Sequence, residues 1–390
     1  MTRLGFAHDL RTFSNRHSIG MYALLRPILF SFEPARAHAV AMSSLAPVEH
    51  VAPLRALVRS AVSFHDPRLE VRKMGLVFPN PIGVAAGLDK NGERARALEA
   101  LGFGHVELGT VTAEPQGPNP TPNLFRLPAD GALVNRLGFP NEGAKKVGAR
   151  VLERKAGMRV PVGISIGKSR SVPLEPLDAA LEDYVTSFEA IRSAADFVVV
   201  NISSPNTKDL RALQAADMAR HLFSALMMRA AALPLLVKIA PDLSDDAVDA
   251  ICVEADRAGL AGVVATNTTI ARDGLATSAE DLEAIGAGGL SGLPLFPRSL
   301  AVVKQARARL GPNACVIGVG GIHGTESALA MLRAGADLVQ LYTSFIYEGP
   351  FLPRTITRGL VKRMDAEGAS SLADLVRTST TSSAHRAALG

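Results

Sequence analysis

The stretch Phe197-Val198-Val199-Val200-Asn201-Ile202-Ser203-Ser204-Pro205-Asn206-Thr207 joins a short apolar run to a cluster of amides and hydroxyls. Its first four residues are typical of a buried strand. The polar groups that follow are costly to bury unless they meet a polar ligand. Taken alone, the stretch is better explained as a strand that ends in a Ser/Asn/Pro turn. Its meaning therefore depends on the rest of the chain.

Seven further apolar runs of the same kind occur between residues 82 and 342, most of them separated by segments long enough for a helix. Near-continuous runs of Val, Ile and Leu are typical of parallel strands that are covered on both faces. Eight such strands fit a closed (β/α)8 barrel better than an open doubly wound sheet. We therefore predict an α/β fold, a TIM barrel, with the strands Ile82–Ala86, His105–Gly109, Val162–Ile166, Phe197–Val200, Leu235–Ile239, Gly262–Thr266, Cys315–Val319 and Leu338–Tyr342.

At 390 residues the chain has room for a barrel of about 250 residues and smaller additions. We predict a helical extension over residues 1–70, the barrel over residues 71–368 and a C-terminal tail over residues 369–390, frayed from Thr378 onward. Pro-rich turns within residues 111–160 also predict an inserted loop or hairpin over the barrel mouth.

Two amphipathic helices are predicted in the N-terminal extension. The first covers residues 21–32, where apolar residues follow helical spacing, although Pro27 should kink it. Pro34 can open the second helix, which Pro47 should end. The pair is either a membrane-associating unit or a helical hairpin that caps the barrel. Residues 1–20 are polar, and we expect them to be loose.

The net charge of +5 is concentrated near the N-terminus. Residues 1–73 hold ten Lys/Arg and five Asp/Glu, so their excess equals that of the whole chain. A basic, partly apolar extension on a neutral body favours contact with an anionic membrane surface over contact with nucleic acid. No nucleic-acid-binding motif is visible, and we expect no nucleic-acid partner.

Cysteine content and hydropathy indicate in which cellular compartment the protein works. Cys252 and Cys315 make neither a disulfide framework nor a zinc cluster, so we expect a reducing compartment. No uncharged stretch reaches the ~18 residues of a spanning helix. Residues 1–20 lack the apolar core of a secretory signal, and their Arg and Ser content leaves a mitochondrial presequence open.

Small, polar or lysine-bearing residues follow every predicted strand. Active sites of (β/α)8 barrels lie at the carboxyl ends of the strands, so these residues should meet at one edge. Eight such ends in order predict one polar ligand site. The segments are 86–90, 109–110, 165–168, 201–206, 238, 266–269, 318–321 and 342–344.

The last two strand ends favour a phosphate group. Gly320 and Gly321 follow the seventh strand and Thr343 follows the eighth, where barrels often bind phosphate through bare backbone N–H groups. A Gly-Gly pair by itself is more often just a turn. No carboxylate pair, His/Asp constellation or metal-ligand cluster occurs at the strand ends, so hydrolysis and metal catalysis have little support and we expect no metal.

Two lysines, Lys90 and Lys238, remain as charged groups at the strand ends. A lysine close to a flavin can stabilise the negative charge that develops on the reduced ring. A surface position is the usual alternative for lysine. Lys238, however, lies inside the apolar run Leu235–Ala240, where burial would demand a partner.

The motif series of the chain resembles that of the dihydroorotate dehydrogenase family over roughly residues 21–363. Two features resemble its quinone-dependent, membrane-associated class 2. Ser204 stands where class 1 enzymes carry cysteine, and the segment from Met21 to His38 resembles the class 2 N-terminal helices. The matching motifs are Ala85–Lys90, Gly109–Thr112, Asn135–Phe139, Asn201–Thr207, Lys238–Asp242, Thr266–Thr269, Gly289–Gly292 and Gly318–Gly321.

The resemblance implies an FMN-dependent oxidation of (S)-dihydroorotate to orotate in pyrimidine synthesis, with electrons passed to a membrane quinone. Ser204 would take the C5 proton as general base, and the C6 hydride would pass to the flavin N5. Because a serine hydroxyl is a poor base unaided, water or Thr207 would relay the proton.

The resemblance also implies roles for individual residues. FMN would be held by Ala86, Gly87, Lys90, Thr110, Ser165, Asn201, Lys238, Thr266, Gly292, Gly321, Tyr342 and Thr343. Dihydroorotate would be held by Lys90, Asn135, Arg136, Leu137, Gly138, Phe139, Asn201, Asn206, Asn267 and Thr268. The quinone-site candidates are His38, Arg126 and Tyr342, with an ordinary surface histidine as the alternative for His38.

Two of these positions depart from the class 2 pattern. Ser165 stands where Asn is usual, and Thr343 stands where Ser is common. Both keep a polar group, so the implied function is unchanged.

We further expect a monomer that associates peripherally with the cytoplasmic face of a bacterial inner membrane, or with a mitochondrial inner membrane. Two other functions stay open. A soluble class 1-like enzyme would use fumarate or NAD, although Ser204 and the N-terminal helices argue against it. A flavin-free phosphate-binding barrel would be a colourless binding module, whereas a flavoprotein is yellow.

Overall fold

A computed structural model describes residues 21–377 of the chain. The predictions of a loose leader over residues 1–20 and of a frayed tail over residues 378–390 fall outside these residues. No helix between residues 21 and 377 is both long and apolar enough to cross a membrane.

Four helices, rather than the predicted two, lie before the first strand in the described part of the chain. Pro34 lies in the first turn of its helix as predicted, but Pro47 opens a helix instead of ending one, and Pro53 opens a further helix that was not predicted. A first-turn proline lacks an N–H that would have no partner there, and its φ suits a helix start. Pro27 lies inside a helix that continues past it. The four are α1 (Met21–Ser31), α2 (Pro34–Ser44), α3 (Ala46–His50) and α4 (Ala52–Val62).

An antiparallel hairpin of β1 (Val71–Lys73) and β2 (Leu76–Phe78) precedes the barrel. Phe78 at its end is fully buried and packs edge-on against His105, at 5.6 Å between ring centroids. His105 also packs against Phe197. Because both residues begin barrel strands, these three rings fill the end of the barrel opposite to the predicted site.

The predicted (β/α)8 barrel is confirmed. Eight parallel strands pair in chain order, and the last strand pairs with the first to close the sheet. All eight of the strands that we predicted are present. They are β3 (Ile82–Val84), β4 (His105–Val111), β7 (Val162–Ile166), β8 (Phe197–Asn201), β9 (Leu235–Ile239), β10 (Gly262–Ala265), β12 (Cys315–Val319) and β13 (Leu338–Leu341).

Helices surround the barrel and bury its outer face. Val, Leu, Ile and Ala side chains from strands and helices form one large core with few aromatic rings. The helices are α5 (Ala95–Ala100), α6 (Ala144–Lys155), α7 (Leu177–Ile191), α8 (Ala216–Ala230), α9 (Asp245–Ala258), α10 (Ala279–Ile285), α11 (Phe296–Leu310), α12 (Thr325–Arg333), α13 (Thr343–Glu348) and α14 (Leu352–Glu367).

A small antiparallel sheet is built from the loops after β4 and β10. The hairpin of β5 (Leu124–Leu127) and β6 (Ala132–Asn135) pairs with β11 (Gly289–Gly292). Three residues of this sheet, Asn135, Ser291 and Gly292, line the cavity at the barrel mouth. The prediction of an inserted hairpin over the mouth is therefore correct, although its third strand was not foreseen.

Polar contacts attach the N-terminal helices to α5. Glu49 of α3 is fully buried and accepts a hydrogen bond from the Ala97 backbone N–H at 3.0 Å. Arg94 donates to the Met42 carbonyl at 2.7 Å, and Arg59 pairs with Glu99 at 3.1 Å. Helices α2 to α4 are thus fixed to the barrel by several bonds.

Apolar side chains of the N-terminal helices remain exposed. Leu24 and Ile28 of α1 are 77% and 59% exposed, and Leu57 of α4 is 64% exposed. Leu25 of α1, Val40 of α2 and Val51, between α3 and α4, are exposed as well. At the other end of the described chain, Leu372 and Leu375 are buried in the main core, so residues up to 377 pack on the barrel.

Candidate active site

A cavity of about 1020 Å³ opens at the carboxyl ends of the barrel strands and extends towards α1 and α14. Strand pairing places Asn201 beside Lys238, and Ala265 beside Gly318, so the strand ends lie level. Most of the predicted site residues line this one cavity. They are Ala86, Gly87, Lys90, Thr110, Asn135, Leu137, Gly138, Phe139, Asn201, Ser204, Asn206, Lys238, Thr266, Asn267, Thr268, Gly292, Gly321, Tyr342 and Thr343.

The side chains of Ser165 and Arg136 do not line the cavity. Ser165 is fully buried, and its hydroxyl lies 3.0 Å from the Thr110 hydroxyl. Arg136 donates to the carbonyls of Pro122, Ile285 and Ala287, so it ties the β5–β6 hairpin to the segment before β11. Both side chains support residues of the lining instead of belonging to it.

A connected set of amides and hydroxyls forms the centre of the cavity wall. The Asn201 amide donates to the Thr110 hydroxyl at 3.0 Å. Its carbonyl oxygen accepts from the Ser203 hydroxyl at 3.0 Å and from the Asn267 amide at 3.3 Å. Asn267 donates to Ser203 as well, at 2.9 Å. Tyr184 fixes the Asn201 backbone by donating to its carbonyl at 2.8 Å. These bonds fix the orientation of each amide before any ligand binds.

Ser204 lies on the cavity wall and is almost fully buried. Its Oγ accepts a hydrogen bond from the Asn206 backbone N–H at 3.2 Å. The Asn206 side-chain amide donates to Asn135 at 3.1 Å, which links the loop after β8 to the β5–β6 hairpin. The buried hydroxyl of Thr207 has no hydrogen-bond partner among residues 21–377. A buried hydroxyl without a partner is costly, and a bound water or ligand would satisfy it.

The Lys90 ammonium is a cation without a protein partner. It is half-buried on the cavity wall and makes no hydrogen bond or ion pair within the described part of the chain. Burial lowers its pKa to about 8, although the adjacent Asp89 carboxylate opposes this shift. A cation that is held away from water without a counter-charge favours the binding of an anion.

Lys238 has the partner that its burial demands. Its Nζ lies 3.8 Å from Oε1 of Glu107, and both side chains are almost fully buried. Gln340 donates to the other oxygen of this carboxylate at 2.6 Å. Glu107 and Gln340 were missed in the sequence, although a charge inside the apolar run of β4 is the same signal that singled out Lys238.

Glycines near the ends of β11 and β12 let the chain pack closely beside the cavity. Gly321 has φ +69°, and a Cβ there would lie 2.5 Å from Phe296 Cβ. Gly292 has φ +106°, and a Cβ there would lie 2.3 Å from the Gly131 carbonyl oxygen. Only glycine fits both conditions. The Thr343 hydroxyl, which donates to Ser291 at 2.8 Å, stands beside them.

The quinone-site candidates lie around α1. Tyr342 lines the cavity and donates to the Gly87 carbonyl at 3.3 Å, and burial raises its pKa to about 12. Arg126 does not line the cavity, because its guanidinium donates to the carbonyls of Phe30 and Phe32 at the end of α1. His38 is outside the lining too. Burial and the charge of Lys90 lower the pKa of His38, so its imidazole is neutral at pH 7.

Helix α1 itself forms the outer wall of the cavity. Tyr22 and Arg26 line it, and both donate to carbonyls of α13, at 2.5 Å to Ile346 and at 3.3 Å to Tyr347. The Phe30 ring packs edge-on against Tyr347 at 5.3 Å. None of these α1 contacts was predicted, because helix spacing indicates an apolar face but not its partner.

The described residues offer no set of metal ligands. Between residues 21 and 377 there is no group of three or more His, Cys, Asp or Glu side chains that could hold a metal ion. Cys252 and Cys315, both free, are buried in apolar surroundings, and burial raises the pKa of Cys252 to about 12. Neither thiol is a candidate nucleophile.

Relatives of known name share nearly the whole chain. A dihydroorotate dehydrogenase (quinone) of Rhodococcus erythropolis is 48% identical over 356 residues, which are 91% of this chain and 98% of that protein. A protein of Thermobifida fusca with the same name is 47% identical over 360 residues, 90% of this chain and 95% of the relative.

A solved structure and a family model agree with these relatives. The crystal structure of DHODH in complex with ferulenol from Eimeria tenella superposes with a TM-score of 0.74 at 33% identity, over 83% of this chain and 93% of that one. The model of the family described as dihydroorotate dehydrogenase matches residues 68–364. The chain belongs to the dihydroorotate dehydrogenase family.

Proposed function

We propose that the chain is an FMN-containing dihydroorotate:quinone oxidoreductase, which converts (S)-dihydroorotate to orotate in pyrimidine synthesis. One observation carries the proposal. Ser204, the free ammonium of Lys90 and a fixed set of amides line the same cavity as the glycine-rich ends of β11 and β12. The relatives that are named as quinone-dependent enzymes support the choice of electron acceptor.

The residues of the cavity fit FMN. Gly292 and Gly321 line the cavity without side chains, and bare backbone N–H groups suit a phosphate. Lys238 supplies a buried positive charge that would stabilise a negative reduced ring. FMN supplies the hydride-accepting and electron-passing chemistry that amino-acid side chains lack. We assign its binding to Ala86, Gly87, Lys90, Thr110, Asn201, Lys238, Thr266, Gly292, Gly321, Tyr342 and Thr343, with Ser165 supporting Thr110.

The other part of the lining fits dihydroorotate. Its carboxylate would pair with Lys90, whose ammonium has no other partner in the described chain. The amides of Asn135, Asn206 and Asn267 offer both donors and acceptors to the flat ring. Thr268 and the backbone of Gly138 and Phe139 complete the wall. Arg136 would act indirectly, by holding the β5–β6 hairpin in place.

Ser204 would remove the C5 proton of dihydroorotate. The N–H of Asn206, which already donates to Ser204 Oγ, would stabilise negative charge as the hydroxyl loses its own proton. The hydroxyl proton must then leave through a relay. Thr207, whose buried hydroxyl has no partner among the described residues, is our candidate for that relay through a bound water.

The N-terminal helices would serve the quinone half of the reaction. We assign residues 1–70 to a unit that lies on a membrane and residues 71–368 to the barrel, on which residues 369–377 of the C-terminal segment also pack. The exposed apolar side chains of α1 and α4 support peripheral binding, at the cytoplasmic face of a bacterial inner membrane. Quinone would reach the cavity beside α1, near Tyr342 and His38. We propose that the enzyme works as a monomer.

Spectroscopy and acceptor preference test this function together. The purified protein should be yellow and release FMN on denaturation. Dihydroorotate should bleach the flavin band without oxygen, and quinone should restore it faster than fumarate or NAD does. A colourless protein, or a flavin that dihydroorotate leaves oxidised, would contradict the proposal. Fumarate or NAD as the preferred acceptor would replace quinone in it.

A further inference from the structure

Arg211 lies outside the cavity lining but binds the loops after three neighbouring strands. It belongs to a short 3-10 helix, Leu210–Gln214, that follows the Ser204 loop. Its Nε donates to the Ser203 carbonyl at 3.0 Å, and its Nη2 donates to the Thr268 carbonyl at 3.0 Å. Its Nη1 pairs with Asp242 at 2.8 Å. One guanidinium thus connects the loops after β8, β9 and β10.

Both carbonyls lie at residues on or next to the cavity wall. The Ser203 carbonyl and the Ser204 nitrogen share one planar peptide unit, so the bond from Arg211 restrains the Ser204 backbone and thereby the direction of its side chain. Thr268 itself lines the cavity next to Asn267. Arg211 therefore fixes the proposed base on one loop relative to the substrate-binding residues on another.

Asp242 fixes Arg211 in turn. Its carboxylate accepts hydrogen bonds from the guanidinium, from the hydroxyl of Thr269 and from the backbone N–H of Ile270, the last at 3.3 Å. Gln214, at the end of the same 3-10 helix, accepts a hydrogen bond from the Ala240 N–H at 2.8 Å. The planar guanidinium carries donors that point in different directions, so it can bind all three loops at once. The compact ammonium of a lysine could not make the same set of bonds.

We propose that Arg211, oriented by Asp242, is a positioning residue for the oxidation of dihydroorotate. It holds the Ser204 loop and the Asn267–Thr268 loop at the separation that the reaction requires. This inference rests on the proposed function. Lys238, Gly292, Gly321 and Thr343 receive no bond from Arg211, so flavin binding and quinone reduction do not depend on it.

Arg307 provides a matched control. Its Nε donates to the Gly335 carbonyl at 2.7 Å, its Nη1 donates to the Ala314 carbonyl at 2.9 Å, and its Nη2 pairs with Asp337 at 2.5 Å. It makes the same three kinds of bond as Arg211, but to segments that precede β12 and β13, at the end of the barrel opposite to the cavity. The two arginines thus differ in what they hold, not in the kinds of bond they make.

The test compares Arg211→Ala, Arg211→Lys and Arg307→Ala with the unaltered protein. For each we would measure bound flavin, orotate affinity by the shift of the flavin spectrum, anaerobic flavin reduction by dihydroorotate, and reoxidation by quinone. A displacement of about 1 Å at a reacting group can cost about 100-fold in rate. We expect Arg211→Ala to slow reduction about 10- to 100-fold and to weaken orotate binding. Flavin content and reoxidation should stay within about twofold of the unaltered protein, because Arg211 contacts neither site.

Arg211→Lys keeps a cation beside Asp242 and protects the test if the alanine variant fails to fold. It should still reduce its flavin several-fold more slowly, and Arg307→Ala should reduce it at the normal rate. Normal reduction in Arg211→Lys, or an equal loss of reduction and reoxidation in either Arg211 variant, would overturn the inference. If the unaltered protein itself does not reduce its flavin with dihydroorotate, the proposed function fails instead.

Discussion

The barrel mouth buries polar side chains, whereas the N-terminal helices expose apolar ones. At the mouth, amides, hydroxyls and Lys238 are buried and Lys90 is half-buried, and most of the amides and hydroxyls bind one another in fixed orientations. On α1 and α4, leucines and an isoleucine are exposed to solvent. Buried polar groups and exposed apolar side chains are each costly in a protein that binds nothing, and the proposed function gives a reason for both. The mouth would gain flavin and substrate, and the helices would gain a membrane.

This difference predicts that the two half-reactions can be damaged separately. Variants at the mouth should impair flavin reduction by dihydroorotate. Variants on the outer face of α1 should impair only the encounter with quinone in a bilayer.

The largest effect is expected from Ser204→Ala. General-base catalysis contributes about 10²- to 10⁴-fold, so flavin reduction by dihydroorotate should slow by that factor. FMN content should be unchanged, because the Lys238 and glycine sites are intact. Stopped-flow absorbance without oxygen measures the reduction rate. Reoxidation by quinone after dithionite reduction is the internal control, and near-normal reduction by dihydroorotate would rule out Ser204 as the base.

A smaller effect on the other half-reaction is expected from Leu24→Glu. Burial of one leucine contributes about 1.5–3 kcal/mol, so its loss should weaken binding to anionic vesicles at least about tenfold. Met228→Glu on α8 is the matched control, because Met228 and Leu24 are 78% and 77% exposed. Vesicle co-sedimentation and turnover with membrane-embedded quinone would be compared. Equal losses in both variants would remove the special role of α1.

The charge of Lys90 predicts a pH dependence at the mouth. Its pKa of about 8 means that the ammonium, which attracts a carboxylate, is lost as the pH rises above that value. The dissociation constant for orotate should therefore rise with pH above about 8, approaching tenfold per unit. Titrations of the flavin spectrum between pH 6.5 and about 9.5 would measure it.

Lys90→Met supplies the control for that titration, because it removes the charge and leaves any titration of orotate itself. The variant should bind orotate weakly, and its affinity should change less with pH than that of the unaltered protein. The same slope in both proteins would mean that Lys90 does not bind the carboxylate.

The smallest effect on activity is expected from Glu49→Ala, between the two regions. The change leaves the Ala97 N–H buried without its acceptor, which costs about 1–3 kcal/mol of stability. Thermal unfolding should shift downwards while flavin reduction keeps its rate. If reduction slowed with the loss of stability, α3 would belong to the catalytic unit and the two regions would not be separable.

The sequence was informative where one local pattern determines the structure. Apolar runs with polar ends predicted all eight barrel strands, because a strand buried on both faces must be continuously apolar. The same rule predicted that residues at the strand ends form one ligand site, since parallel strand ends meet at one edge, whereas the roles of single residues came from the family resemblance. Lys238 was predicted to need a partner, and Glu107 is that partner.

Features that depend on distant segments were not predictable. Pro47 starts a helix instead of ending one, a choice that depends on what the following helix packs against. Arg136 stands within a cavity-lining motif, but its guanidinium binds carbonyls more than a hundred residues away. Arg211 binds the Thr268 carbonyl, which lies 57 residues further along the sequence, and nothing local indicates this.

A crystal structure of the protein with FMN and orotate would show directly whether Ser204, Lys90 and the three amides surround the same substrate. We expect orotate to lie between the flavin ring and Ser204, with its carboxylate on Lys90 and its ring held by Asn135, Asn206 and Asn267. Orotate bound outside this cavity, or a Ser204 hydroxyl turned away from the C5 atom of orotate, would contradict it.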